Sequence, residues 1–275
     1  MSFDKRFEIL CVTMHQKDFS KIEEMNIHSN VVFANQADTT AYDEIELEGK
    51  KARMITTATR GVGINRNLAL TYADAEYCLF ADDDLKYVDN LEDIVVGEFE
   101  KHPDADVFIF HLATDDKKRR QISYKKTRKH ARFERMPWGG VRIAVRLSSV
   151  KKANVWFTTL FGGGCIFPSG EDSMWLLEAK RKGLKFYVSD KTIGKISFED
   201  STWFTGFDEK FYFGKGAFYA AVHPKTLGLW MLYFAMRTRG SGEMDFFEKI
   251  KWMKLGRRGY REMVSFDEYK AKEQK

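Results

Sequence analysis

Two clusters of carboxylates in this sequence could do chemistry, one at Asp82-Asp83-Asp84 and one at Glu171-Asp172, some ninety residues downstream. Three adjacent carboxylates repel one another by roughly 4 kcal/mol per pair at 4 Å and an effective dielectric of about 20, unless a cation or a proton relieves them. Hard oxygen ligands of this kind suit a divalent metal. The structural alternative has one Asp capping the next turn and the others solvated. At the second cluster, Glu171-Asp172 follows Gly170 and heads a helical pattern with Met174, Trp175, Leu176, Leu177 and Ala179. A pair in that place serves either as a helix cap and dipole partner or as a general base held at the mouth of a cleft.

The elements that must position these groups read as alternating strands and helices. Apolar, strand-like runs occur at residues 7–14, 30–35, 52–57, 77–81, 106–113 and 185–189, and helical patterns lie at 18–25, 68–73, 90–101 and 174–179. That alternation implies an α/β fold with a mainly parallel sheet. The run before Asp82 is apolar throughout, as in a strand buried on both faces, so the acidic triplet falls at the carboxyl edge where open α/β sheets bind ligands. The acidic stretch 39–51 reads as a surface connection. Residues 59–67, with Gly61, Gly63, Arg66 and Asn67, open a helix whose N-terminus suits an anion, although their spacing is neither a P-loop nor a dinucleotide fingerprint.

Composition sets the class. The chain has 275 residues, 44% of them hydrophobic and only 4 prolines, which fits a folded domain and not a disordered chain. Its charged start does not read as a signal peptide, and no apolar run reaches the ~18–20 residues that span a bilayer. Cys11, Cys78 and Cys165 lie far apart in sequence, without metal or disulfide spacing, which points to a reducing, cytoplasmic compartment. The net charge of +5 is unevenly spread: residues 115–135 and residues 210–262 carry +7 each, which leaves about −9 for the rest. Such basic segments suit a polyanionic partner or an anionic membrane surface, with solvated charge as the plain alternative. Tyr124 and Phe133 lie within the first basic segment, without the spacing of any nucleic-acid module. Residues 227–236 (LGLWMLYFAM), flanked by Lys225, Arg237 and Arg239, read either as a core helix or as an interfacial helix lying on lipid.

In order along the chain, a first strand, the Arg66-Asn67 helix start, Asp82-Asp83-Asp84 and Gly170-Glu171-Asp172 with Trp175 three residues on resemble an inverting family 2 glycosyltransferase of the GT-A fold. The resemblance spans roughly residues 6–205. It implies a Rossmann-like central sheet with helices on both faces, a nucleotide-binding half at about 1–113, an acceptor-binding half at about 136–205, and a helical, basic extension over 206–275. It also implies a nucleotide-diphosphate sugar donor, most often a UDP-sugar, and a Mg²⁺ or Mn²⁺ ion on Asp82 and Asp84. Thr13, Gln36, Asp38, Arg66, Asn67, Asp82 and Asp83 fall on the nucleotide side. Asp172 matches the catalytic base, Glu171 stands beside it near the acceptor, and Trp175 either stacks on a sugar ring or belongs to the core. Many relatives carry a His near residues 195–197; this chain has Lys195 there, so either Lys195 or His223 meets the diphosphate.

The expectation is thus a cytoplasmic enzyme that builds a surface polysaccharide on a glycan or lipid-linked glycan, with peripheral contact to the inner, anionic membrane face and no nucleic acid. Two alternatives stand beside it. A sugar-phosphate nucleotidyltransferase would need a Gly-rich basic loop after the first strand, which Met14-His15-Gln16-Lys17 does not provide. A non-catalytic polyanion-binding protein would leave both acidic clusters idle.

Overall fold

The structure, a computed structural model, describes residues 5–114, 123–131, 134, 139–196 and 206–273. Much of the basic segment 115–135 therefore lies outside the described residues. The chain divides into two compact units, Met1–Thr158 with Asp172–Asp200, and Thr159–Glu171 with Ser201–Lys275.

The first unit runs β1 (Phe7–Met14), α1 (Lys21–Glu24), β2 (Asn30–Gln36), β3 (Ala41–Leu47), β4 (Lys50–Thr57), α2 (Val62–Tyr72), β5 (Tyr77–Asp82), β6 (Leu85–Tyr87), α3 (Leu91–Lys101), β7 (Val107–Ala113), β8 (Arg128–Lys129), β9 (Ile143–Arg146), α4 (Leu147–Ala153), α5 (Glu171–Arg181) and β10 (Phe186–Ile196). The strands form one sheet in the order β3-β4-β2-β1-β5-β9-β7-β10-β6, with β8 on β10. Alternation along each strand splits its side chains between two cores. Leu10, Val12, Cys78 and Phe80 face one core, closed by Ala69 and Leu70 of α2, Leu147 and Val150 of α4, and Trp175, Leu176 and Ala179 of α5. Ile9, Cys11, Leu79 and Ala81 face the other, closed by Met25 and by Leu91, Val95, Val96 and Phe99 of α3. Burial on both faces is why β1, β2 and β5 are nearly continuous apolar runs.

The α/β fold is the expected one, with a sheet that is mixed in direction. It is parallel through β4-β2-β1-β5 and between β7 and β10. It is antiparallel where β9 inserts between β5 and β7, at β6 and β8, and at the β3 edge. The stretch read as a surface connection is in fact β3, mostly exposed and antiparallel to β4. Its acidic side chains hid its strand period, and charge on an edge strand also discourages further pairing. The run at 185–189 belongs to a longer strand, β10, which continues to Ile196 with an irregularity between Val188 and Thr192. Ahead of α1, Asp18 accepts a bond from the Ser20 N–H at 2.9 Å, so it shapes the preceding turn while Ser20 occupies the cap position.

The second unit carries α6 (Glu209–Val222), α7 (Leu227–Arg237), α8 (Phe246–Glu262) and α9 (Phe266–Glu273). Helices α6 and α8 approach backbone to backbone at Gly216 and Gly256, where a Cβ would run into the carbonyls of Met253 and Phe213. Lys249 is buried and satisfied, donating to the carbonyls of Thr238 at 2.7 Å and Ser241 at 3.0 Å just past α7. No helix among the described residues is long and apolar enough to cross a membrane. The three cysteines are free thiols.

Candidate active site

Strand period places Asp82 on the same face of β5 as Cys78 and Phe80, the face covered by α2 and α5. Arg66, in the second turn of α2, is 1% exposed and reaches that strand end. Its Nη2 donates to Asp82 at 3.0 Å, and its Nη1 pairs with Asp172 at the head of α5. One guanidinium thus joins the two acidic clusters. The Gly140 N–H donates to the other Asp172 oxygen at 2.7 Å. A Cβ on Gly140 would lie 2.5 Å from Asp172 Oδ1 and 2.9 Å from Arg66 Cζ, so only glycine fits there. The Phe157 ring lies 5.3 Å from the Arg66 guanidinium carbon.

The acidic triplet divides by direction. Burial pushes the Asp82 carboxyl up from its ordinary range while Arg66 pulls it back, with Asp172 and Asp83 adding repulsion. Asp83 accepts a hydrogen bond from the Thr13 hydroxyl at the end of β1. Asp84 is pushed up to about 6, first by partial burial and then by the neighbouring Asp82 charge. Asp83 and Asp84 line a cleft of about 290 Å³ with Glu24, Met25, Leu85, Lys86 and Lys195. The register of β10 on β6, with Lys195 opposite Lys86, brings Lys195 to this cleft.

No group of three or more His, Cys, Asp or Glu among the described residues forms a metal cage. A magnesium-type site does not need one, because such ions bind through one or two carboxylates plus substrate phosphates and water. Burial, and after it the neighbouring Asp82 charge, raises Asp84, so a cation there would offset both, and the carboxylate donors fit a divalent ion shared with a diphosphate.

The other residues singled out in the sequence are placed as follows. Gln36 is buried and accepts from the Gly61 N–H at 2.9 Å, tying the end of β2 to the start of α2. Asp38 is exposed and pairs with Arg60 at 2.5 Å. Asn67 departs from its expected nucleotide contact: its amide donates to the Phe157 carbonyl at 2.9 Å and its oxygen accepts the Phe157 N–H at 2.8 Å. Both bonds clamp α2 to the chain after α4. Trp175 departs from the sugar-stacking reading. It is 1% exposed, its ring stacks on Phe157 at 5.5 Å and meets Phe80 edge-on at 5.5 Å, and it belongs to the core. Glu171 is also withdrawn from solvent at 2% exposure and accepts from the Gly170 N–H at 3.1 Å. His223 stacks on Trp230 at 4.6 Å within the second unit. Sequence reasoning missed Gly140. The paired Gly139-Gly140 was visible, but nothing beside it in sequence marks it as the seat of an acid thirty-two residues on.

Comparison with known proteins bears on the fold. Residues 29–151 match the model for glycosyl transferase family 2. The crystal structure of S. aureus TarS 1-349 in complex with UDP-GlcNAc superposes with a TM-score of 0.63 at 14% identity, over 95% of this chain and 93% of that one. A crystal structure of S. aureus TarS 1-349 gives 0.60 at 14% identity over the same shares. The UDP complex gives 0.55 at 15% identity, over 93% of this chain and 72% of that one. No curated protein sequence matches the chain. The fold is therefore that of GT-A glycosyltransferases such as TarS. Over residues 29–151 the chain is similar to glycosyl transferase family 2.

Proposed function

We propose that this enzyme transfers a glycosyl group from a nucleotide-diphosphate sugar, of the UDP type, to a hydroxyl of a glycan or lipid-linked glycan acceptor, inverting the anomeric configuration. Surface polysaccharide synthesis at the cytoplasmic side of the membrane is the setting that suits such an acceptor. The observation that carries the reading is the Arg66 guanidinium on both Asp82 and Asp172, since it puts a donor-side acid and a candidate base in one site. Support for a uridine donor comes from TarS, crystallised with UDP-GlcNAc and with UDP.

In this reading Asp172 is the general base. Arg66 pairs with one of its oxygens and the Gly140 N–H with the other, which fixes its plane, and each oxygen keeps a lone pair for an acceptor hydroxyl. Asp172 takes the hydroxyl proton as the acceptor oxygen bonds to the anomeric carbon, and the bond from that carbon to the diphosphate oxygen breaks with its electron pair leaving on the nucleoside diphosphate. Lys195, beside Asp83 and Asp84, meets the diphosphate in place of the histidine found in many relatives. Asp82 and Asp84 would hold Mg²⁺ or Mn²⁺, which when bound offsets the charge growing on the leaving diphosphate. Thr13, Gln36 and Asp38 frame the nucleotide side. Arg66 acts as a positioning residue for Asp172.

Thermal shift against a panel of nucleotides and nucleotide sugars, with and without Mn²⁺, tests this. Ligand at a hundredfold excess over Kd adds about 2.7 kcal/mol of apparent stability. UDP-sugars are expected to raise Tm, and Asp84→Ala to remove the Mn²⁺-dependent part. A chain stabilised by no nucleotide contradicts the donor assignment; equal affinity in all four combinations of protein and metal discards the metal role.

A further inference from the structure

We propose that the outward face of α7 docks on an anionic lipid bilayer. The inference stands on the C-terminal unit alone and not on the donor chemistry.

Up to its last residue, Arg237, helix α7 has only apolar and aromatic side chains, yet only one side is covered. Leu227, Met231 and Ala235 are buried. On the other side Leu229 is 70% exposed, Met236 54%, Tyr233 46%, Leu232 43% and Trp230 37%. At 100° per residue these five fall on one arc, centred on Leu229, Tyr233 and Met236. An all-apolar helix is ordinarily buried on every side or lies in lipid, and a contiguous exposed apolar face on a folded unit marks an interaction surface.

The surroundings indicate which surface it meets. Lys225, Arg237 and Arg239 flank the face and are exposed, and no acid occurs within the helix. The Tyr233 hydroxyl accepts from Arg237 at 3.0 Å, and Trp230 is held by stacking on His223. Tyr and Trp at the boundary of an aliphatic patch, with basic residues alongside, are the composition of helices lying in the plane of an anionic interface. Helix α8 of the same unit adds exposed Phe247, Lys251 and Lys254. A second copy of the chain is a poorer occupant, because a two-fold contact through this face would bring like basic flanks together. Among the described residues no helix crosses a membrane, so the contact is in-plane.

Vesicle flotation of the full chain tests the proposal, using phosphatidylcholine alone and phosphatidylcholine with one-third phosphatidylglycerol, in the absence of any sugar nucleotide. Wild type should float with the anionic vesicles, and more weakly at high salt. The triple variant Leu229→Ser, Leu232→Ser, Met236→Ser should lose at least tenfold in bound fraction, and Arg237→Glu with Arg239→Glu should abolish the preference for phosphatidylglycerol. Because these side chains are exposed, Tm and nucleotide-induced thermal shift should stay at wild-type values, which separates failure here from failure of the sugar-transfer reading. Wild type that stays unbound, or a triple variant that binds like wild type, overturns the proposal. So does concentration-dependent dimerisation abolished by the triple variant without vesicle binding, which would assign the face to a second copy.

Discussion

The properties of Asp172 come from its neighbours. A carboxylate at a helix start is common, but this one is taken by a buried guanidinium on one oxygen and a backbone N–H on the other. Losing one member of a buried ion pair is costly because the partners stay behind with uncompensated charge. Arg66→Met should therefore lower stability by about 3–5 kcal/mol in chemical denaturation. Arg66→Lys should recover less than half of the loss, since an ammonium cannot fork between two carboxylates. Full recovery with lysine would mean that charge alone matters there. Gly140→Ala makes a finer test: the added methyl displaces the base by about an ångström, for which a loss near a hundredfold in transfer is expected, with the fold unchanged by circular dichroism. Wild-type turnover in that variant would show that the Gly140 contact does not set the position of Asp172.

The elements explain what could be read in the sequence and what could not. Strands β1, β2 and β5 were legible because burial on both faces leaves a continuous apolar signature, and the abrupt change to three aspartates located the strand end. Strand β3 was not, because its exposed side chains carry no apolar period. Trp175 and Asn67 were misread for a common reason. Each matches or closely follows a family motif, and only the fold shows that the ring packs against Phe80 and Phe157 and that the amide is spent on backbone. Strand β8 gives a pH test at this scale. Arg128 donates two bonds to Glu134, at 2.8 and 2.6 Å, and holds the Glu134 carboxyl down at about 2. A carboxyl depressed on folding stabilises the native state above its unfolded pKa and loses that contribution as pH falls through the folded value. The stability gap between wild type and Glu134→Gln should accordingly be constant above about pH 5 and close as the pH approaches about 2. A gap that persists at the acid end would mean that the pair contributes nothing through charge.

At the scale of the molecule, two kinds of information meet. Within the first unit, topology brings the ends of β1 and β5, the second turn of α2, the head of α5 and the Gly140 backbone to one place, although these segments are scattered from residue 13 to residue 172. No local pattern encodes that convergence; only the order of the motifs hinted at it. The C-terminal unit contributes an exposed apolar and basic face whose composition, unlike its exposure, was plain in the sequence. The account as a whole rests on Asp172 acting as the base of a nucleotide-sugar site and not as a structural acid. The most direct measurement is transfer from a UDP-sugar by Asp172→Asn, taken together with UDP affinity by calorimetry. The account predicts a rate lower by about 10²- to 10⁴-fold, the usual worth of a general base, with UDP affinity close to wild type. Transfer at the wild-type rate, or loss of UDP binding in place of loss of transfer, would contradict it.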